Sequence, residues 1–425
     1  MHTLIAFVAL FFQATPAAPA PEHEGPPITI VRAAHMLDVI SGKIVEHPEI
    51  WVQSGRITSV KTGTGAWANL GTMIDLGDVT LLPGLIDMHT HLTSQLGPDS
   101  ANEPAHETGA DAALHGVVYA RRTLLAGFTT VRDVGSGDFA DIALMRAIDR
   151  GDIDGPWMFP AGNPISITGG HGDITGFKPG LMTQGPENGV ADGVDECIKA
   201  VRTQIKYGAK VIKCMATAGV LSFDATVGAQ QLDEAELKAI CEEAARHGLR
   251  VAAHAHGTAG IKAAIRAGVA SIEHGSLLDD EAIDLMLQKG TYLVPTQYLI
   301  RRMDLAKLPE LWRQKAEYLF PLKDKSLQMA IQRGVKIAFG TDAGVYPHGE
   351  NAHEFGEYVR LGLSPLEAIR TATTHAIDLL GVTDRGTLEA GKLADLIAVK
   401  GNPLEDVTVL EHVSWVMHGG RVVTR

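Results

Sequence analysis

Between residues 81 and 340 one pattern repeats about eight times: a short apolar run, then a stretch with helical periodicity. The strand-type runs fall at 81–89, 129–134, 157–161, 209–215, 250–256, 271–274, 291–295 and 336–340. Helix-type segments lie between most of them, at 111–126, 139–150, 191–207, 233–247, 258–267, 280–288 and 315–333. The segment 233–247 has a start signal in Asp233 and a stop signal in Gly248 just beyond it. Strands joined by helices pair in parallel, because each helix carries the chain back across the sheet. An α/β (β/α)8 barrel of the TIM type satisfies this pattern, and so does a doubly wound open sheet. The two chain ends differ from the body. Residues 28–80 and 386–425 read as short strands and turns without a helical period, which fits one small β-sandwich domain built from both termini around a body at 81–385. One connection, 163–189, is long and rich in Gly and Pro, and it contains Gly169-Gly170-His171-Gly172-Asp173. A loop of that length with no clear structure fits a cover over a site.

The polar residues stand where the apolar runs end. The first run closes on His89-Thr90-His91. Alternate residues of a strand share a face, so both imidazoles project together. The run at 209–215 carries Lys213, the run at 250–256 closes on His254-Ala255-His256, and the run at 271–274 closes on Glu273-His274. The last run leads into Thr341-Asp342. Singly, each has an ordinary reading: a hydrogen-bonded structural histidine, a snorkelling lysine, an aspartate capping the next helix. Together, His89, His91, Lys213, His254, His274 and Asp342 fall at the ends of five strands, where parallel barrels build their sites. Imidazole and carboxylate are metal-ligating groups. Arg132 and Asp133 end the second run and read as a structural ion pair. Cys214 points away from Lys213 and reads as a packing thiol.

In chain order, PGLIDMHTH, KVIKCMA, AHAHG, SIEHG and FGTDAG, followed by GTLEAGKLADL near the C-terminus, resemble the metal-dependent amidohydrolase superfamily. Within it, the similarity is to the binuclear prolidase-like and ochratoxin-hydrolysing amidohydrolases, with imidazolonepropionase as a relation. The resemblance implies that His89 and His91 bind a buried metal, His254 and His274 bind a second, and Asp342 ligates the first and handles a proton. Lys213 cannot ligate as an ammonium, which has three donors and no acceptor. The resemblance implies its carboxylation by CO2, giving an anionic carbamate that bridges two divalent ions roughly 3.5–4 Å apart. Zinc suits these ligands. The implied reaction is attack of a metal-activated hydroxide on an amide carbonyl, with Asp342 passing a proton to the leaving amine. The implied substrates are N-acyl amino acids or dipeptides with a free carboxylate, ochratoxin A among them. His171, His256 and Tyr298 are the candidate substrate contacts, with His256 standing where similar enzymes often carry Tyr. A cyclic amide, imidazolone or lactone hydrolase on the same barrel is the second reading, and a metal-free binding protein the third.

Composition sets the remaining bounds. Net charge is −13, from 37 basic and 50 acidic residues, which argues against nucleic acid and against a basic membrane-surface patch as partners. Three widely spaced cysteines, Cys197, Cys214 and Cys241, exclude a disulfide framework and a CxxC-type zinc site. Residues 1–20 hold a short apolar run followed by Ala18 and Ala20 in an Ala-x-Ala pattern, as in a secretory signal peptide. Periplasmic or secreted localisation follows from that reading. No Lys or Arg precedes Arg32, which departs from the usual signal pattern. A homo-oligomer is implied by the resemblance alone.

Overall fold

The computed structural model describes residues 27–63, 71–97, 100, 102–223 and 226–424. The signal-peptide reading of 1–20 lies outside these residues. At the centre stand two arcs of parallel strands. The first runs in the order Trp157–Pro160, Phe128–Asp133, Leu85–Thr90. The second runs in the order Ile212–Met215, Val251–Ala255, Ser271–His274, Tyr292–Val294. Isolated parallel bridges link them: Ile165 with Cys214 on one side, and on the other Leu293 with Ile337 and Thr90 with Ala343. The segment 336–340 therefore contributes a single bridge, at Ile337, and not a regular strand, and no closed eight-stranded ladder is present among the described residues. Helices connect the strands as expected from their periodicity. Thr108 and Asp111 form a capping box at the start of Gly109–Leu125, and Asp233 and Glu236 form one at Glu234–Arg246. Gly248, with φ of 72°, follows the end of the latter. Three short helices, His353–Leu361, Pro365–Thr371 and Thr374–Leu380, were not visible in the sequence pattern, being too short to establish a period.

Strands from the chain ends form two further sheets, the first from the N-terminal end alone and the second from both ends. One has the order Arg56–Thr62, Pro48–Gln53, Thr29–Arg32, Thr72–Asp75. The other has the order Arg421–Val423, Trp415–His418, Leu396–Val399, Thr80–Pro83, His35–Asp38, Lys43–Glu46. Inward residues of both, among them Val31, Ile50, Ile57, Leu81, Leu396 and Met417, meet in one apolar cluster. The run 81–89, expected as a single strand, is divided at Gly84. Thr80–Pro83 pairs antiparallel with Leu396–Val399, whereas Leu85–Thr90 joins the first arc.

Packing explains why glycine stands at that division. A Cβ on Gly84 would lie 2.1 Å from Thr129 Oγ1 and 2.6 Å from Thr129 Cγ2. The Gly84 amide also donates to Asp395 O at 2.8 Å, so the backbone has little room to retreat. Gly84→Ala is expected to lower unfolding free energy by about 1–3 kcal/mol in equilibrium urea denaturation. An unchanged midpoint and slope would show that the junction is not tightly packed.

Candidate metal centre

The site forms where the carboxyl ends of both arcs meet. His89 belongs to the first arc's edge strand, and His91 follows one residue beyond its end. Their alternation turns both rings to one side, with ring centroids 5.5 Å apart. Each outer nitrogen is tied down. His89 Nδ1 donates to Glu273 Oε2 at 2.7 Å, and His91 Nδ1 donates to Gly135 O at 2.9 Å. Each Nε2 then points to the same atom, Asp342 Oδ1, at 3.4 Å. Fixing the tautomer through Nδ1 in this way prepares Nε2 as a lone-pair donor to a metal.

Asp342 is delivered by a backbone turn that bulky residues rarely adopt, with φ of 63°. Buried Asp87 holds that turn. Its carboxylate accepts from His89 N at 3.0 Å, Thr341 Oγ1 at 2.6 Å and Asn351 Nδ2 at 2.8 Å. Thus one carboxylate registers the strand bearing His89 against the loop bearing Asp342. Burial pushes Asp87 up to about 7 despite these bonds. Burial also opposes ionisation of Asp342, but His89, His91 and His274 outweigh it and hold its pKa well below the usual carboxylate range.

The second arc supplies the facing wall. Lys213, His254 and His274 come from three adjacent strands, and His256 lies one residue past the second. The rings of His254, His256 and His274 lie within 5 Å of one another, with centroid separations of 4.6, 4.8 and 4.9 Å. Burial pushes all three well below the ordinary imidazole range, aided by neighbouring cationic groups, chiefly His171 for His254, Lys323 for His256 and His256 for His274, and this favours the neutral form with a lone pair available. His274 and Thr296 both have positive φ, 71° and 50°, and His274 Nδ1 lies 2.8 Å from Thr296 Oγ1. His254 Nε2 is buried and has no hydrogen-bond partner among the described residues. A buried, unpaired imidazole nitrogen is costly unless something occupies its lone pair. Ligand atoms fall into two groups, each spanning no more than 4.8 Å: His89 with His274 and Asp342, and His254 with His256 and His274. This donor set of neutral imidazoles and a carboxylate fits divalent transition-metal ions.

Lys213 is 2% exposed and lines the same cavity. Burial lowers its pKa, against the pull of Glu273 and Asp342. No hydrogen bond to its ammonium occurs among the described residues, which leaves the nitrogen free to carry a further group.

Of the candidate substrate contacts, His171 and His256 reach the cavity, and Tyr298 does not. The His171 ring packs against that of His254, with centroids 4.3 Å apart and the planes tilted by 33°, and Ser222 Oγ lies 2.9 Å from its Nδ1. Glycine at 219 makes room for that ring, since a Cβ there would lie 2.2 Å from it. Glu354 accepts from the backbone amides of Gln297 and Tyr298, and helix Leu299–Arg302 begins directly after them. That turns the phenol outward onto His353 and puts Leu299 on the cavity wall in its place. The expected Arg132–Asp133 pair is also absent among the described residues. Arg132 instead donates to Glu273 Oε1 at 2.7 Å, and Asp133 Oδ2 accepts from Leu92 N at 2.6 Å.

Glu273 and Lys323 are residues to which the sequence reading gave no role, and Arg132 is one to which it gave the wrong partner. Lys323 carried a faint signal. With Lys315 and Leu319 it follows the four-residue spacing of the buried face of Glu310–Arg333. Its ammonium lines the cavity, and burial pulls its pKa down to about 8 against the opposing charges of Glu354 and Asp342.

Two cavities meet at His91. The inner one, about 170 Å³, is bounded by the histidines, Lys213, Asp342, Lys323 and apolar side chains. The outer one, about 490 Å³, is lined by loop residues that include Ser94, Glu103, Asn163 and Gln184.

The Amidohydrolase family profile matches residues 80–423. Ochratoxinase of Aspergillus niger is 39% identical over 368 residues, covering 80% of this chain and 75% of the relative. A crystal structure of a Xaa-Pro dipeptidase with bound methionine in its active site superposes with a TM-score of 0.89 at 40% identity, covering 94% of this chain and 100% of that one. A prolidase complexed with N-methylphosphonate-L-proline gives 0.84 at 32% identity, over 94% of this chain and 100% of that one.

Glu273 yields a pH prediction. Burial alone would raise its pKa, but Arg132, His89 and Lys213 bring it to about 2, below the ordinary 4.5. A depressed folded-state pKa means that this carboxylate stabilises the fold above about pH 4.5 and loses that contribution as pH falls toward 2. The contribution is on the order of 3 kcal/mol. In metal-free protein, Glu273→Gln is expected to flatten this acid limb of unfolding free energy measured by denaturant titration. An acid limb identical to wild type would contradict the assignment.

Proposed function

From the premise that the chain belongs to the amidohydrolase family and hydrolyses amide bonds, we propose a binuclear enzyme that releases the C-terminal amino acid from N-acyl amino acids or dipeptides. The observation that carries this reading is the convergence of His89 Nε2 and His91 Nε2 on Asp342 Oδ1, facing the unpartnered His254 Nε2 across Lys213. His89, His91 and Asp342 would hold one divalent ion, and His254 and His274 the other. Lys213, as its carbamate, would hold both. The lowered pKa of Lys213 favours this, because the free amine is the form that takes up CO2. Zinc suits four imidazoles with carboxylate-type oxygens. Bound there, the ions would acidify a water and polarise the amide carbonyl.

The chain's own residues do the rest. Asp342 remains ionised when buried, so it can take a proton from the attacking water. It then returns that proton to the departing nitrogen. Glu273 keeps His89 in the tautomer that frees Nε2, and Asp87 keeps Asp342 in register with it. His171 and His256 line the cavity beside the metal ligands and are proposed to contact the substrate. The likeness to an ochratoxinase and to a Xaa-Pro dipeptidase supports amides with a free carboxylate, ochratoxin A included. The same reading takes the two arcs with segment 336–343 as one (β/α)8 barrel, and the two sheets built from the chain ends as a separate small domain.

The test is a panel of N-acyl amino acids, dipeptides and ochratoxin A with metal-loaded enzyme, scored by release of the free amino acid. Release from at least one class is expected, and cyclic amides are expected to be poor substrates. No release from any linear member would refute the substrate class. Lys213→Ala is expected to lose at least 10³-fold in kcat/KM and one metal equivalent. Full activity in that variant would end the binuclear reading.

A further inference from the structure

The inner cavity contains a cation that the metal reading leaves unused. Lys323 lies in the middle of helix Glu310–Arg333, two residues past Pro321, and its side chain is 2% exposed. Its Nζ donates to Thr296 O at 3.1 Å and more weakly to Thr296 Oγ1 at 3.4 Å. Both acceptors are neutral. No carboxylate lies within ion-pair distance of Nζ among the described residues. Glu354 and Asp342 act on it only at longer range, and Glu354 is already engaged by two backbone amides. An ammonium has three protons, so one is left for the cavity that Lys323 lines. A buried cation without a contacting anion is expensive, and this one faces the space a substrate would fill.

The surroundings define what the anion is attached to. Around Lys323 the wall is apolar, formed by Leu221, Leu299, Met303, Phe320 and Val345. At about 170 Å³ the space falls below the roughly 300 Å³ at which drug-sized pockets begin, so it suits one small moiety. The larger outer cavity, with a lining more polar than that of the inner one, suits the other side of the scissile bond. Thr296 also fixes distance. Its hydroxyl touches both Lys323 Nζ and His274 Nδ1, which places the cation one residue away from a proposed metal ligand. His171 and His256 line the same cavity, each with Nδ1 held by a serine, Ser222 and Ser276.

We propose that Lys323 reads the free carboxylate of the leaving amino acid, whose apolar side chain occupies the inner cavity while the acyl group lies in the outer one. This rests on the amide-hydrolase reading above and adds to it a recognition residue and the side of the cavity each product leaves from.

The test compares wild type with Lys323→Met and Lys323→Gln on paired substrates, N-acetyl-L-leucine and N-acetyl-L-leucinamide. In wild type the acid is expected to exceed the carboxamide by about 100-fold in kcat/KM, the scale of a desolvated charge pair. In both variants the ratio is expected to fall toward one, through KM more than kcat. The glutamine variant keeps a hydrogen-bonding group for Thr296 and so separates charge from folding. A variant ratio equal to that of wild type would overturn the proposal. Calorimetric titration with L-leucine gives a readout independent of turnover, with Kd expected to rise about 100-fold in the variants and an equal Kd counting against the proposal. If wild type hydrolysed neither substrate, the N-acyl-leucine pair would be replaced by whichever acid the panel above shows to be cleaved and its carboxamide, and the L-leucine titration would still decide the role of Lys323.

Discussion

The carboxylate of Glu273 ties the two arcs together. It is fully buried on the second arc and accepts from Arg132 of the first arc and from His89 at the first arc's edge. A buried carboxylate left unpaired would be several kcal/mol uphill, so the arcs cannot separate or slide without exposing that cost. The guanidinium also donates to Met88 O and Ser271 Oγ, at 2.6 and 3.0 Å, which fixes its plane on both sides. The same bond that joins the halves orients His89. Structural integrity and ligand geometry therefore depend on one group.

Around this tie the site is built from constraint more than from softness. Asp87 binds the backbone amides of His89 and Thr341, at 3.0 and 3.2 Å, and so carries the first strand's register into the loop of Asp342. His274, Thr296 and Asp342 all adopt left-handed backbone. Such conformations cost about 1–3 kcal/mol each and persist only where surrounding contacts enforce them. Here each lies at the carboxyl end of its run, where the turn aims a side chain or hydroxyl into the cavity. The result is a concave wall of neutral imidazoles opposite an ionised carboxylate, arranged before any ligand arrives.

Much of this was legible in the sequence because strand periodicity and strand ends carry it. His89, His91, Lys213, His254, His274 and Asp342 stand at the ends of apolar runs, and the structure brings all six to one cavity. What sequence could not give depends on contacts between distant segments. Glu273 lies beside His274 in sequence, but nothing local reveals that its partners are Arg132 and His89. Tyr298 looked well placed after its strand until Glu354, 56 residues on, turned it outward. Lys323 sat in a helix whose Pro321 obscured the buried face. The division at Gly84 was hidden because two adjacent apolar strands, serving different sheets, read as one run.

The central claim is that the cavity between the arcs holds two metal ions joined through Lys213. Anomalous diffraction from metal-loaded crystals tests it most directly. Two peaks are expected among His89, His91, His254, His274 and Asp342, roughly 3.5–4 Å apart, with density for a carboxyl group on Lys213 Nζ between them. A single peak, or an unmodified Lys213, would contradict the account.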